Sequence, residues 1–134
     1  MAKAAEDLSD VVILTEDNYV DKAEQVINSL IRKKNKQNTF ILKTSKIRKL
    51  LSLTSTLYDE SRVREYDELK EKILYLRVQY IYQAGLEFSV KDLVIKGEII
   101  EALNEIKDRE TLQRFCRYME ALVAYFKFYE GKDR

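Results

Sequence analysis

Apolar residues recur every three to four positions along most of this chain, and no proline interrupts them. That period is helical, so the sequence predicts an all-α protein. A first helix is predicted over about Asn18 to Lys33, with Tyr19, Ala23, Val26, Ile27, Leu30 and Ile31 on one face. The polar stretch RKKNKQN then forms a loop. A second helix starts at Thr44 or Ser45, whose side-chain oxygens can accept from an unpaired N–H of the first turn. It buries Ile47, Leu50, Leu51, Thr54, Leu57 and Tyr58, and at about 100° per residue sets Arg48, Lys49, Ser52, Ser55 and Thr56 on the opposite side.

A third helix is predicted over about Arg62 to Ala84, with Gly85 just past its end as a C′ residue. From Ile73 onward, ILYLRVQYIY is apolar nearly all round, which predicts a central helix. Arg77 falls inside that stretch, where a charge needs a partner; a buried ion pair with a glutamate is expected there in preference to a phosphate contact. Ser89, with Asp92 three residues on, resembles a capping box opening a fourth helix that bends near Gly97 and runs to about Lys107. A last helix runs from Asp108 or Arg109 to Glu130, before Gly131. Leu112, Phe115, Cys116, Met119, Leu122, Val123 and Phe126 form its core stripe. Its reverse side carries Arg114, Arg117, Tyr118, Ala121, Ala124, Tyr125 and Phe128, which suits close approach of a further helix or of a second subunit. The expected architecture is a compact bundle of about five helices. Residues 1–12 are expected to be a flexible extension, followed by a short VVIL that packs loosely, and residues 13–134 to form a single domain.

Composition narrows the chemistry. The chain has no His, one Cys and no Trp. It therefore cannot assemble a His-based triad or a Cys/His zinc site from its own residues. Neither a GxGxxG nor a Walker-type loop occurs among its three glycines. The acids are dispersed at helical spacing, as in Glu68 and Glu71 beside Lys72, and form no cluster. No enzyme, metal or cofactor is expected. The lone Cys116 lies in an apolar stripe and reads as a buried thiol. No apolar run approaches the roughly 18 residues of a membrane span, and no signal peptide is visible at the N-terminus, so a cytoplasmic location is expected.

Charge alters the picture more than its net value of +1 suggests. Arg32, Lys33, Lys34, Lys36, Lys43, Lys46, Arg48 and Lys49 fall between Arg32 and Tyr58, a segment with no Asp or Glu. The remaining 16 cations face 23 acids. One part of the molecule is basic and the rest acidic, an arrangement that attracts a polyanion locally and allows copies to stack basic face to acidic face. The second helix breaks a local rule in particular. The positive end of a helix dipole favours acids, yet its first turn holds Lys46, Arg48 and Lys49. Cations at a helix N-terminus make a site for phosphate. Two readings follow: a structural RNA-binding subunit that grips backbone phosphates, or a protein adaptor whose basic face meets an acidic partner. The basic face has no array of aromatics, which argues against reading splayed bases.

Three stretches, KTSKIRKLLSL, YLRVQYIYQAG and RFCRYMEALVAYFKFYEGKD, together resemble the small subunit of type III-A CRISPR effector complexes, the Csm complex. The similarity extends over about residues 13 to 133. The resemblance implies a small helical bundle without nuclease activity, several copies of which stack along the inner side of the complex beside its backbone and large subunits. Guide and target RNA would be its nucleic-acid partners, with sequence recognition left to base pairing. Target RNA cleavage would belong to the backbone subunit, and DNase and cyclic-oligonucleotide activities to the large subunit. The family's capped basic helix falls on Thr44, Ser45, Lys46, Ile47, Arg48 and Lys49, so Lys43, Thr44, Ser45, Lys46, Arg48 and Lys49 are the expected RNA contacts. Arg77, Arg114 and Arg117 are weaker candidates for RNA contact or ion pairing. Two positions depart from the family pattern. Lys43 stands where a second threonine is common, and Leu86 where an arginine is expected, which puts any ionic contact there in doubt.

Overall fold

The computed structural model describes residues 12–130; the extension expected over residues 1–12, Val12 excepted, and Gly131 lie outside the described residues. Six α-helices and one short 3-10 helix follow in order: α1 (Tyr19–Ser29), α2 (Thr44–Ser61), the 3-10 helix (Tyr66–Leu69), α3 (Lys70–Leu86), α4 (Phe88–Lys96), α5 (Ile99–Asn104) and α6 (Arg109–Tyr129). The all-α expectation holds. The described residues contain no strand, only an isolated antiparallel bridge between Arg32 and Phe40 that closes the basic loop.

Helix α6 lies along both α1 and α2, and α3 packs against α2, α4 and α5. The predicted stripe of α6 is the spine of the core, with Leu112, Phe115, Met119 and Leu122 fully buried. Burying each such side chain favours folding by about 1.5–3 kcal/mol. Tyr80 of α3 enters the same core, 6.2 Å from the Phe115 ring centre. Its hydroxyl lies against that of Thr54 and donates to the Leu50 carbonyl at 3.2 Å, so this buried polar group is satisfied.

Several boundaries differ from the expectation for tertiary reasons. Helix α1 stops at Ser29, because Leu30 turns extended and the Ile31 N–H donates to Asp92 at 3.0 Å. Asp92 is therefore a buried acceptor, also paired with Lys96 at 2.9 Å, and not a capping residue of α4. The end of VVIL packs firmly: Leu14 is buried and its N–H donates to Glu105 at 3.2 Å. The predicted third helix begins later and as a 3-10 turn, opened by a capping box between Glu65 and Glu68, that runs directly into α3. Gly85 is helical with no positive φ, and α3 continues to Leu86. The bend expected near Gly97 is present, with Glu98 in the left-handed region at φ 51. Tyr118, expected on the outer side of α6, is fully buried and donates to the Gly97 carbonyl at 2.8 Å.

The largest correction concerns α3. Ile73, Leu76 and Tyr80 are buried, but Leu74, Tyr75, Val78, Ile81 and Tyr82 are exposed. The helix is thus peripheral, with one apolar side in the core and a second facing out. Cys116 is buried as expected, and burial pushes its thiol up to about 12.

Candidate nucleic-acid interface

Helix α2 positions the basic residues, and its register follows from its buried side. Ile47, Leu50, Thr54 and Leu57 are buried, so Arg48, Lys49, Ser52, Ser55 and Thr56 all face outward and are exposed. The sequence reading of this face holds residue by residue. Arg48 and Ser55 stand about 10 Å apart along the axis at 1.5 Å per residue, which makes the face a ridge and not a pocket. Neither Arg48 nor Lys49 has a hydrogen-bond or ion-pair partner among the described residues.

The start of the helix differs from the expectation. Lys43 occupies the N-cap position with an extended backbone, and no side chain caps the helix. The first turn carries no acid of its own, yet two acids from distant segments approach it. Thr44 donates its hydroxyl to Glu130 at 2.8 Å, and Lys46 pairs with Glu87 at 3.6 Å. The reversed charge at the helix start is partly compensated within the chain, which leaves Lys43, Ser45, Arg48 and Lys49 as its outward groups.

The basic loop before α2 is more ordered than a solvated loop. The Lys33 N–H donates to Thr39 at 2.6 Å and the Ile41 N–H to Ile31 at 3.1 Å. Arg32 lies over the Phe40 ring at 4.0 Å and donates to the Asn38 carbonyl at 2.9 Å. Lys33, Lys34 and Lys36 remain exposed.

The three weaker candidates are not brought to this ridge as free cations. Arg77 donates to Asn104 and makes no glutamate pair among the described residues, because the outer side of α3 leaves it half-exposed and beside α5. Arg114 pairs with Glu110 at 3.1 Å and with Glu16 at 3.9 Å. Arg117 donates to the Tyr58 hydroxyl at 3.1 Å. Sequence reasoning missed one neighbour of the site. Lys49 and Leu53 share a shallow groove of about 330 Å³ with Tyr75, Val78 and Tyr82 of α3. The outward apolar positions of α3 could be read from their spacing, but the apparent completeness of the apolar run concealed them.

Among the described residues no group of three metal-ligating side chains comes together, and no helix is long and apolar enough to cross a membrane. The family model described as Csm2 Type III-A matches residues 16–132. The chain is 68% identical over 123 residues to the CRISPR system Cms protein Csm2 of Streptococcus thermophilus, covering 92% of this chain and all of that protein. It is 48% identical over 124 residues to the protein of the same name from Mycobacterium tuberculosis, covering 89% and 97%. Its identity to that from Enterococcus italicus is 33% over 101 residues, covering 69% and 71%. The chain belongs to the Csm2 family, the small subunits of type III-A CRISPR effector complexes.

Proposed function

We propose that this chain is a non-catalytic subunit of the type III-A Csm complex that holds the backbone of guide and target RNA without reading sequence. The outward face of α2 carries the proposal: Arg48 and Lys49 stand exposed, beside Ser45, Ser52 and Ser55, with no acid on that side of the helix before Asp59 and no partner among the described residues. Cations and hydroxyls on a ridge match phosphate oxygens, whereas a base-reading site needs edges or stacking platforms aimed at the ligand. The contacts are Lys43, Ser45, Arg48 and Lys49, with Thr44 and Lys46 contributing less because Glu130 and Glu87 already engage them. Lys33, Lys34 and Lys36 extend the positive field beside the ridge.

The absence of His and the burial of the single thiol support a subunit without chemistry of its own. Several copies stack in the complex, the basic segment of one beside the acidic remainder of the next, so that successive α2 ridges line the RNA path beside the backbone and large subunits. The complex works in the cytoplasm. Each copy adds a few phosphate contacts, and the assembled array raises the affinity through effective concentration.

The test is a salt series on RNA binding by the assembled complex, with wild-type subunit and with Arg48→Glu/Lys49→Glu, after confirming assembly and helicity. Weaker binding is expected, with a salt slope shallower by about 0.7–0.9 per lost phosphate contact per copy. An intact complex with unchanged affinity and slope overturns the RNA assignment and turns the ridge over to an acidic protein partner.

A further inference from the structure

Helix α3 turns two tyrosines toward the flank of the α2 ridge. Ile73, Leu76 and Tyr80 bury its inner side, while Tyr75 and Tyr82 are each 61% exposed. Seven positions apart, they stand on one line of the helix about 10 Å from each other. Neither ring stacks on another ring or makes a hydrogen bond among the described residues. Both line the groove of about 330 Å³ between α2 and α3, where Leu53 and Val78 are the aliphatic residues and Gln79 and Gln83 bring side-chain amides. Among the described residues no carboxylate lines this groove, and Lys49 is its one charged side chain.

Lys49 borders the ridge and the groove at once. Ser52 and Leu53 follow it by three and four positions, which makes both its neighbours on the surface of α2. Ser52 belongs to the ridge, and Leu53 lines the groove. Beyond Leu53, Tyr75 and Gln79 the groove continues along the two helices to the ion pair of Lys72 with Glu60 at 2.6 Å. That pair cancels its own charge, so the Lys49 end is the one that attracts an anion. A nucleotide whose phosphate is held by Arg48 and Lys49 therefore has the mouth of the groove beside it.

The lining selects the occupant. A nucleobase has π faces that match tyrosine rings and a polar edge that matches amides, which both donate and accept. The apolar side of a partner helix would instead bury both amides and Lys49 without partners, at a cost. The ridge has no aromatics of its own, and α3 supplies them by packing beside it. We propose that the α2–α3 groove receives unpaired bases of the bound RNA, which stack on Tyr75 and Tyr82 while their phosphates stay on the ridge. Stacking accepts any base, since every base has a π face, so the subunit still reads no sequence. The inference rests on the RNA reading of the ridge and gives it a second component that is not electrostatic.

The assembled complex provides the test. Guide or target RNA carrying 5-iodouridine in place of uridine, irradiated in the wild-type complex, is expected to form adducts on Tyr75 or Tyr82 that mass spectrometry locates. Adducts on neither overturn the proposal. Affinity for a target RNA with an unpaired tract is then measured over a salt series. Tyr75→Ala/Tyr82→Ala should weaken binding by about 5- to 150-fold for each stacked base lost. The salt slope should not change, because stacking releases no counterions. Tyr75→Phe/Tyr82→Phe keeps the rings and should restore the binding. A phenylalanine variant as weak as the alanine one overturns the proposal, as does an alanine variant that binds normally. In that last case a loss with Arg48→Glu/Lys49→Glu keeps the ridge on the RNA, whereas normal binding by both variants removes the ridge as well. An alanine variant that is helical but left out of the complex also overturns the proposal and assigns the groove to a protein partner.

Discussion

The Thr44 hydroxyl donates to the Glu130 carboxylate at 2.8 Å, bringing an acid from the far end of the chain to the positive end of α2. The helix start lacks acids of its own, and folding supplies one from the end of α6. Thr44→Val is expected to lower stability by about 0.5–1.5 kcal/mol in urea titration. A double-mutant cycle with Glu130→Ala should return a coupling energy above zero, because the two side chains share one hydrogen bond that either substitution removes. Additive effects would detach the acid from the helix start.

Asp92 holds the chain where α1 hands over to the basic loop. It is 7% exposed, accepts from the Ile31 N–H at 3.0 Å and pairs with Lys96 at 2.9 Å. Asp92→Ala removes the acceptor of that part-buried N–H and should cost about 1–2 kcal/mol. The urea midpoint should fall with the slope unchanged. Loss of RNA binding by the folded variant would also tie the loop's placement to the function of the ridge.

Gly97 stands where space for a side chain is tight. A Cβ there would come within 3.0 Å of the Leu93 carbonyl and 3.1 Å of Ile99, and the Gly97 carbonyl accepts from the buried Tyr118 hydroxyl. Gly97→Ala should therefore destabilise by about 1–3 kcal/mol despite the better helix propensity of alanine. A neutral or stabilising effect in thermal unfolding would show that α4 and α5 shift apart freely.

Stability should fall at alkaline pH for a reason visible in the core. Burial pushes Cys116 up to about 12 from an ordinary value near 9, and raises Tyr80 and Tyr118 in the same direction. The folded state keeps these protons while the unfolded state releases them, so the stability they contribute is complete below about pH 9. It declines as pH rises toward 12, by about 1.4 kcal/mol per pH unit for each group. Cys116→Ala should make the decline shallower by one proton between pH 9 and 12. An identical slope in urea melts of the two proteins would contradict this.

Helix periodicity made the outward face of α2 legible, because Ile47, Leu50, Thr54 and Leu57 bury one side regardless of what surrounds them. The same reasoning failed on α3. An apolar run looks alike whether its second side meets the rest of the bundle or faces outward, so Leu74, Val78 and Ile81 read as central. Arg77 followed that error, since its expected glutamate partner presumed burial that α3 does not provide. Glu87 and Glu130 were invisible as partners of α2 because helix packing, not local spacing, brings them there. Tyr118 was misplaced for a related reason: the carbonyl that accepts from its hydroxyl belongs to Gly97 at the join of α4 and α5, which packing and not local spacing brings beside α6.

The ridge assignment makes a graded claim about cations on one helix. Lys46 is engaged by Glu87 at 3.6 Å, while Arg48 and Lys49 have no partner among the described residues. The decisive measurement is the salt dependence of RNA binding by the assembled complex with Arg48→Ala, Lys49→Ala and Lys46→Ala subunits, one at a time. Arg48→Ala and Lys49→Ala should each weaken binding and reduce the slope by about 0.7–0.9 per contact per copy, with Lys46→Ala changing it least. Equal losses from all three, or none from Arg48 and Lys49, would contradict a phosphate-binding ridge on α2.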